Sequence, residues 1–327
     1  LFINMRLNHV FRRQERERAY LLNLLSQPET TLRKKLHMHY LCTARGAEML
    51  SRILTENSVD CAASALPEIL RTGRYNAWMK HCFTSRDMML RILIIRLTGL
   101  LHIRNFEEQI IPLMKEHREN LNLQYAGFLA LAMMGNRDSI VNLCGDPTFT
   151  KALSYRSLKE VFSAYTGDKR FLYEKLLSSP DAYIRRIVIK NIGEEGFAEY
   201  AERLMPLLEN ADDNLLCDGI RSLGQLKYAP AGNFIAMCMY NDNWTLRNAA
   251  VGALANINAE LFRPLLLKGL CDKEWWVRYN SARELCAHVP LNTLKEILPT
   301  LNDRFAFEIL RYTIQEAQML GRGVTEA

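Results

Sequence analysis

The sequence predicts an all-α fold, a right-handed α-solenoid of about nine or ten helix pairs. Three observations predict it. A gapless 31-residue repeat runs through the C-terminal half, and apolar columns recur inside each repeat at helical spacing. The composition, 49% hydrophobic and 24% charged over 327 residues, supports a large core, with no Pro/Gly/Ser-rich linker to divide it.

The four aligned segments begin at Ser179, Asn210, Asn241 and Asp272, and Asp303 stands one period later. All five side chains accept hydrogen bonds, so this column is expected to cap the free N–H groups of a helix's first turn. Pro180 follows at a first helical position, where its missing N–H is not needed. Asp181, Asp212, Asn243 and Glu274, two positions on, are mostly acidic and suit the positive end of the helix dipole. Ile184, Leu215, Leu246 and Val277 form one apolar column, and Ile192, Leu223, Leu254 and Leu285 another, eight residues later on the same face. Between them Val188, Gly219, Ala250 and Ser281 form a column of small residues that lets helices approach closely. Gly193 and Gly224 are expected to stop their helices in the left-handed conformation.

A second amphipathic segment lies between each pair of these helices: Phe197–Leu208, Ala229–Tyr240, Ala259–Leu270 and Leu291–Leu301. Pro206, Pro264 and Pro299 fall within these runs, as Pro112 does within Phe106–Met114, and are expected to kink or shorten them. Each repeat therefore reads as a bent first helix, a turn and a capped second helix.

The segments Asp272-Lys-Glu-Trp-Trp-Val-Arg and Asn241-Asp-Asn-Trp-Thr-Leu-Arg resemble the second helix of HEAT repeats, particularly the short phycobilisome-lyase-like type. The resemblance covers roughly 181–301. It implies a ladder of Asp and Arg between repeats, with Asp272 and Arg278, Asp242 and Arg247, and Arg185 at the matching positions; Leu216 interrupts the basic column. A fainter copy, Asp87 to Gly99, matches Asp181 to Gly193 with Asp, Arg and Gly at the same offsets. The expected organisation is a basic N-terminal helix over 1–27, divergent HEAT-like repeats over 28–178, regular repeats over 179–301, and a capping helix and tail over 302–327.

The charge is uneven. Residues 1–120 hold 19 Lys and Arg against 12 Asp and Glu, and the remainder 23 against 24, so the excess of positive charge is N-terminal. Arg6, Arg12, Arg13, Arg16 and Arg18 lie just after the apolar Leu1-Phe2-Ile3 and read either as the cytoplasmic flank of a membrane tether, as the positive-inside bias would place it, or as a solvated basic helix that follows a start at Met5 or a tag remnant. Eight scattered cysteines without a C-x-x-C pair, mostly in apolar helical stretches, read as free thiols of a reducing, cytoplasmic compartment.

No catalytic constellation emerges. His37 and His39 point to opposite sides of a helix and cannot easily share a metal. No Walker or dinucleotide-binding glycine pattern is present, since Gly219 and Gly224 lie inside a helix. No cofactor, metal or small-molecule substrate is therefore expected. The distinctive side chains are Trp244, Trp275 and Trp276, with Arg247, Arg278 and Tyr279, at the starts of successive second helices. Adjacent Trp275 and Trp276 cannot share one apolar seam, so at least one should reach the surface. Trp, Tyr and Arg dominate interaction hot spots, and this set is the expected contact for a protein or peptide on the concave face. The expected function is a non-catalytic scaffold. A nucleic-acid-binding or DNA-glycosylase-like role is the alternative, disfavoured because no basic stripe runs along the near-neutral repeats.

Overall fold

The structure, a computed structural model, describes residues 2–25 (side chains from 14), 38–56 (side chains from 40), 66–71, 73–150 and 153–320. Arg6, Arg12, Arg13 and the His37/His39 pair lie outside the described side chains. Among the described residues every regular element is a helix. The chain forms two compact units, Leu1–Lys175 and Leu176–Ala327.

In the first unit the longer helices are α1 (Phe2–Leu25), α2 (Ala44–Glu56), α3 (Gly73–Phe83), α4 (Met88–Leu100), α5 (Glu107–Glu116), α6 (Leu121–Met133), α7 (Arg137–Cys144) and α8 (Tyr155–Ser163). The sequence passes into the second unit through α9 (Lys169–Leu177). Helix α4 packs between α2 and α6, and α8 lies against α6.

The second unit holds α10 (Ala182–Glu195), α11 (Ala201–Leu208), α12 (Asp213–Gln225), α13 (Gly232–Cys238), α14 (Trp244–Asn258), α15 (Arg263–Leu270), α16 (Trp275–His288), α17 (Leu291–Ile297) and α18 (Arg304–Met319). Second helices α10, α12, α14, α16 and α18 pack each on the next, while α11, α13, α15 and α17 back them. Both predicted apolar columns are buried: Ile192, Leu223, Leu254 and Leu285 are fully excluded from solvent. Each such side chain contributes about 1.5–3 kcal/mol of transfer free energy. The first helices are bent as expected, with 3-10 turns at Ala198–Tyr200 and Ala229–Ala231 before α11 and α13, and at Leu298–Thr300 after α17. Pro206 lies inside α11, whereas Pro264 opens α15 and so costs it no hydrogen bond.

The capping register differs from the sequence reading by two residues. The N-caps are Asp181, Asp212 and Asn243, whose side-chain oxygens accept the N–H of Tyr183, Asn214 and Thr245, each at 2.9 Å. Only in α18 does the predicted column itself cap, Asp303 accepting from Ala306. Ser179, Asn241 and Asp272 instead accept the N–H of the residue at the cap position, at 3.2, 2.8 and 2.8 Å. The cap residue is extended and its own N–H is an additional unpaired donor, so each turn needs two acceptors two residues apart. Asn210 supplies none of this; it takes the left-handed conformation, φ 60°, which Asn tolerates.

The basic column closes the same turns. Arg185 Nη1 donates to the carbonyls of Ser179 (2.6 Å) and Pro180 (3.0 Å), Arg247 Nη1 to Asn241 (2.8 Å) and Asp242 (2.9 Å), and Arg278 Nη1 to Asp272 (2.6 Å) and Lys273 (3.2 Å). Arg91 Nε reaches Ser85 O in the first unit at 2.5 Å, where Asp87 caps α4. The ladder between repeats is therefore not Asp272 with Arg278. Arg247 Nε and Nη2 grip the Asp272 carboxylate at 2.6 and 2.7 Å across α14 and α16. A second rung joins Arg186 to Asp218 at 2.9 Å.

Gly193 and Gly224 do not stop their helices. A Cβ on Gly193 would lie 2.6 Å from the Cα of Ser222, and one on Gly224 would lie 2.5 Å from the Cα of Ala253. They are contact points between neighbouring second helices. Gly99 meets Ala130 in the same way, which makes Asp87 to Gly99 structurally equivalent to Asp181 to Gly193. The stop after α10 comes three residues later at Gly196, φ 76°.

Candidate partner-binding surface

Trp275 and Trp276 open α16, and both reach solvent, 46% and 53% exposed. Trp275 stacks on Tyr279 one turn later, centroids 5.0 Å apart and planes 9° apart, while Trp276 stands edge-on to Trp275 at 4.8 Å. The Arg283 guanidinium covers the Tyr279 ring at 5.9 Å. These contacts fix the rings before any partner arrives, which lowers the side-chain entropy lost on binding.

Arg278 extends the surface to α18. While its Nη1 holds the preceding turn, its guanidinium lies 5.6 Å from the Phe305 ring centre. Phe305 and Tyr312, two helical turns apart, are 63% and 59% exposed. With Trp275, Arg278, Glu308 and Ile309 they line an open groove of about 200 Å³. Sequence reasoning missed Phe305 and Tyr312 because it assigned α18 a capping role, in which the outer face is polar. Their seven-residue spacing, continued by the exposed Met319, was the available signal.

The other predicted site residues part company here. Arg247 is only 5% exposed, its guanidinium spent on Asp272 and two carbonyls, so it holds the stack together. Trp244 is 37% exposed on α14. Asp272 shows the electrostatic result: burial raises its pKa, but the bonds from Arg247 and the Glu274 N–H outweigh it and leave the carboxyl below its usual range. In the N-terminal helix, Arg18 bonds Glu56 at 3.0 Å and Arg16 is exposed.

Beside the aromatic edge, the exposed stripes of α12, α14 and α16 form a shallow polar groove that includes Arg221, Gln225, Asn248, Asn256, Asn280 and Glu284. Asn280 donates to Asn248 at 2.7 Å. Glu284 is pushed up in pKa by burial, against the opposing pull of His288 at 3.4 Å. No group of three or more His, Cys, Asp or Glu side chains suited to a metal occurs among the described residues. Cys217 and Cys286 are buried, and burial pushes the Cys286 thiol up to about 11, away from thiolate chemistry.

Residues 170–255 match the family of HEAT repeats, and that stretch lies within an all-α stack of paired helices. Among solved structures, similarity is found to an engineered protein from a structural genomics consortium, at 17% identity over 93% of this chain and 95% of that one, TM-score 0.44. The complex of CpcE and CpcF of phycocyanin lyase from Nostoc sp. PCC7120 is similar at 17% identity over 75% of this chain and 95% of that one, TM-score 0.35. No curated protein matches the sequence.

Proposed function

We propose that this protein is a non-catalytic scaffold that holds a protein or peptide partner on the second-helix side of its repeats, the side expected to be concave. The observation that carries the reading is the preorganised aromatic edge: Trp275, Trp276 and Tyr279 of α16, joined through Arg278 to Phe305 and Tyr312 of α18. Monomeric surfaces seldom leave four large aromatic side chains exposed around a fifth, half-buried one, here Tyr279, unless something covers them.

The test is affinity capture with the wild-type chain and with a Trp276→Ala/Tyr312→Ala variant whose urea midpoint is unchanged. Loss of a specific co-purifying protein from the variant, with retention by a Trp78→Phe control, supports the assignment. Equal recovery by all three refutes it. A cytoplasmic setting with an N-terminal membrane tether belongs to the same proposal and rests on the charge of Arg6, Arg12, Arg13, Arg16 and Arg18. No helix among the described residues is long and apolar enough to cross a membrane. Flotation with vesicles containing anionic lipid, repeated with those five arginines changed to Gln, tests the basic helix.

A further inference from the structure

The exposed faces of the second helices in the first unit carry a groove of different character. Along α4 it is lined by Met89, Ile92, Arg96 and Leu100, and along α6 by Asn122, Tyr125, Leu129 and Met133. On each helix the positions recur at intervals of three or four, so both contribute one continuous stripe. Twelve residues, eleven steps of 1.5 Å, give the groove a length of roughly 16 Å. Its volume is about 530 Å³.

The walls are apolar and one of them is unusually bare, since Met89 is 69% exposed. Methionine lines recognition grooves well because its unbranched thioether adapts to the occupant. The polar groups are few and placed midway. Tyr125 is pushed up in pKa to about 12, by burial first and then by its hydrogen bond with Glu160 of α8, so it is a neutral hydroxyl already engaged at physiological pH. Arg96 and Arg156 both act on that hydroxyl, and Glu160 is the carboxylate that opposes them. Neither arginine makes an ion pair among the described residues; of the charged groups that line the groove, Glu160 is engaged by Tyr125 and the Arg96 guanidinium is left for an occupant.

We propose that this groove docks an amphipathic helix of about three turns, with apolar residues at i, i+3 or i+4, and i+7 and a carboxylate at its centre facing Arg96. The length of the trough matches about twelve residues of helix, and the Arg96 guanidinium, in no ion pair, calls for an acidic group. This is a second docking element, separate in sequence from the aromatic edge of α16 and α18, and it stands whether or not that edge binds anything.

The test uses the full chain and a fluorescein-labelled helical 12-residue peptide bearing Leu at positions 2, 5 and 9 and Glu at position 6 on the same face, beside a second peptide with Lys in place of that Glu. Fluorescence anisotropy should show the Glu peptide binding at least fivefold more tightly than the Lys peptide. Arg96→Glu should reverse that order, and Met89→Lys should weaken both peptides about tenfold. Trp276→Ala/Tyr312→Ala should change neither, which separates failure here from failure of the aromatic edge. The order reversal needs only that Arg96→Glu stays folded, which its exposed position permits. Equal affinity for the two peptides, an unchanged order in Arg96→Glu, or no saturable binding of either peptide overturns the proposal. So does laurate occupying the groove in competition with Met89→Lys-sensitive dye binding while both peptides fail, which would make it a site for a small amphiphile.

Discussion

Replacing Arg247 with Met removes one side of the most buried ion pair in the second unit. The side chains of Arg247 and Asp272 are 6% and 11% exposed, and two bonds of 2.6 and 2.7 Å join them. Stranding one charge of such a pair costs about 3–5 kcal/mol. Asp272 would keep the Glu274 N–H at 2.8 Å, and the carbonyls of Asn241 and Asp242 are on exposed residues where water replaces the lost donor. Those remaining partners place the loss near the lower limit, about 3 kcal/mol, or a fall in Tm of roughly 6–12 °C for a unit of this size. Trp244, Trp275 and Trp276 lie in this unit, so tryptophan fluorescence in a urea titration reads it directly. The double variant Arg247→Met/Asp272→Leu removes both charges and should recover at least half the loss, because matched apolar replacement of a buried pair is close to neutral. A loss below about 1 kcal/mol, or a double variant no more stable than the single one, would refute the claim that the pair joins the repeats. The pH profile gives a second reading. The folded Asp272 binds fewer protons than the unfolded one, so its stabilisation is complete above the unfolded value near 4 and is lost as pH falls through the lower folded value. Asp272→Asn should flatten that acid limb.

Gly193→Ala and Gly224→Ala should each destabilise by about 1–3 kcal/mol from overpacking, only partly offset by better helix propensity, whereas Gly252→Ala, whose Cβ would meet nothing nearer than 4.0 Å, should be neutral or stabilising; urea midpoints separate the three. Asp212→Ala should cost about 1 kcal/mol through loss of the cap, while Asn210→Gly should stabilise by several tenths, because the first position caps and the second only bends the chain. Glu284→Gln should raise stability at pH 8 relative to pH 5 in paired denaturation curves. The native Glu284 carboxyl has its pKa raised by burial, so its contribution falls as pH rises through the folded value, and the amide abolishes that fall.

The repeat was legible because its columns perform the same physical task in each copy. Ile192, Leu223, Leu254 and Leu285 read as core and are core, and the faint copy at Asp87 reproduces the cap, the arginine and the close glycine. The cap register was misread by two positions because both columns are rich in hydrogen-bonding side chains, and composition cannot say which one the helix starts after. Gly193 and Gly224 were misread for a similar reason: a glycine near a helix end suits a stop and a close contact equally, and only the partner helix decides. At least one of Trp275 and Trp276 was expected at the surface, since adjacent side chains diverge, and both are exposed. Arg247 was not separable from Arg278 in sequence, because they occupy one column and each is followed 25 residues later by an aspartate; Asp272 receives Arg247, whereas Asp303 caps α18. The α4 and α6 groove went unread because it is formed by two stripes 31 or so residues apart, neither unusual alone.

Two second helices in the second unit, α10 and α12, touch their successors backbone to backbone, at Gly193 on Ser222 and at Gly224 on Ala253. Such contacts act as pivots: with no side chain between the two backbones, the angle between successive helices is set by the bulk of residues on either side of the point. Substitutions flanking the pivots would therefore alter pitch from one repeat to the next before they altered the fold. A family of proteins built on this register would have a simple route to fitting partners of different curvature, by exchanging single residues beside an unchanged glycine.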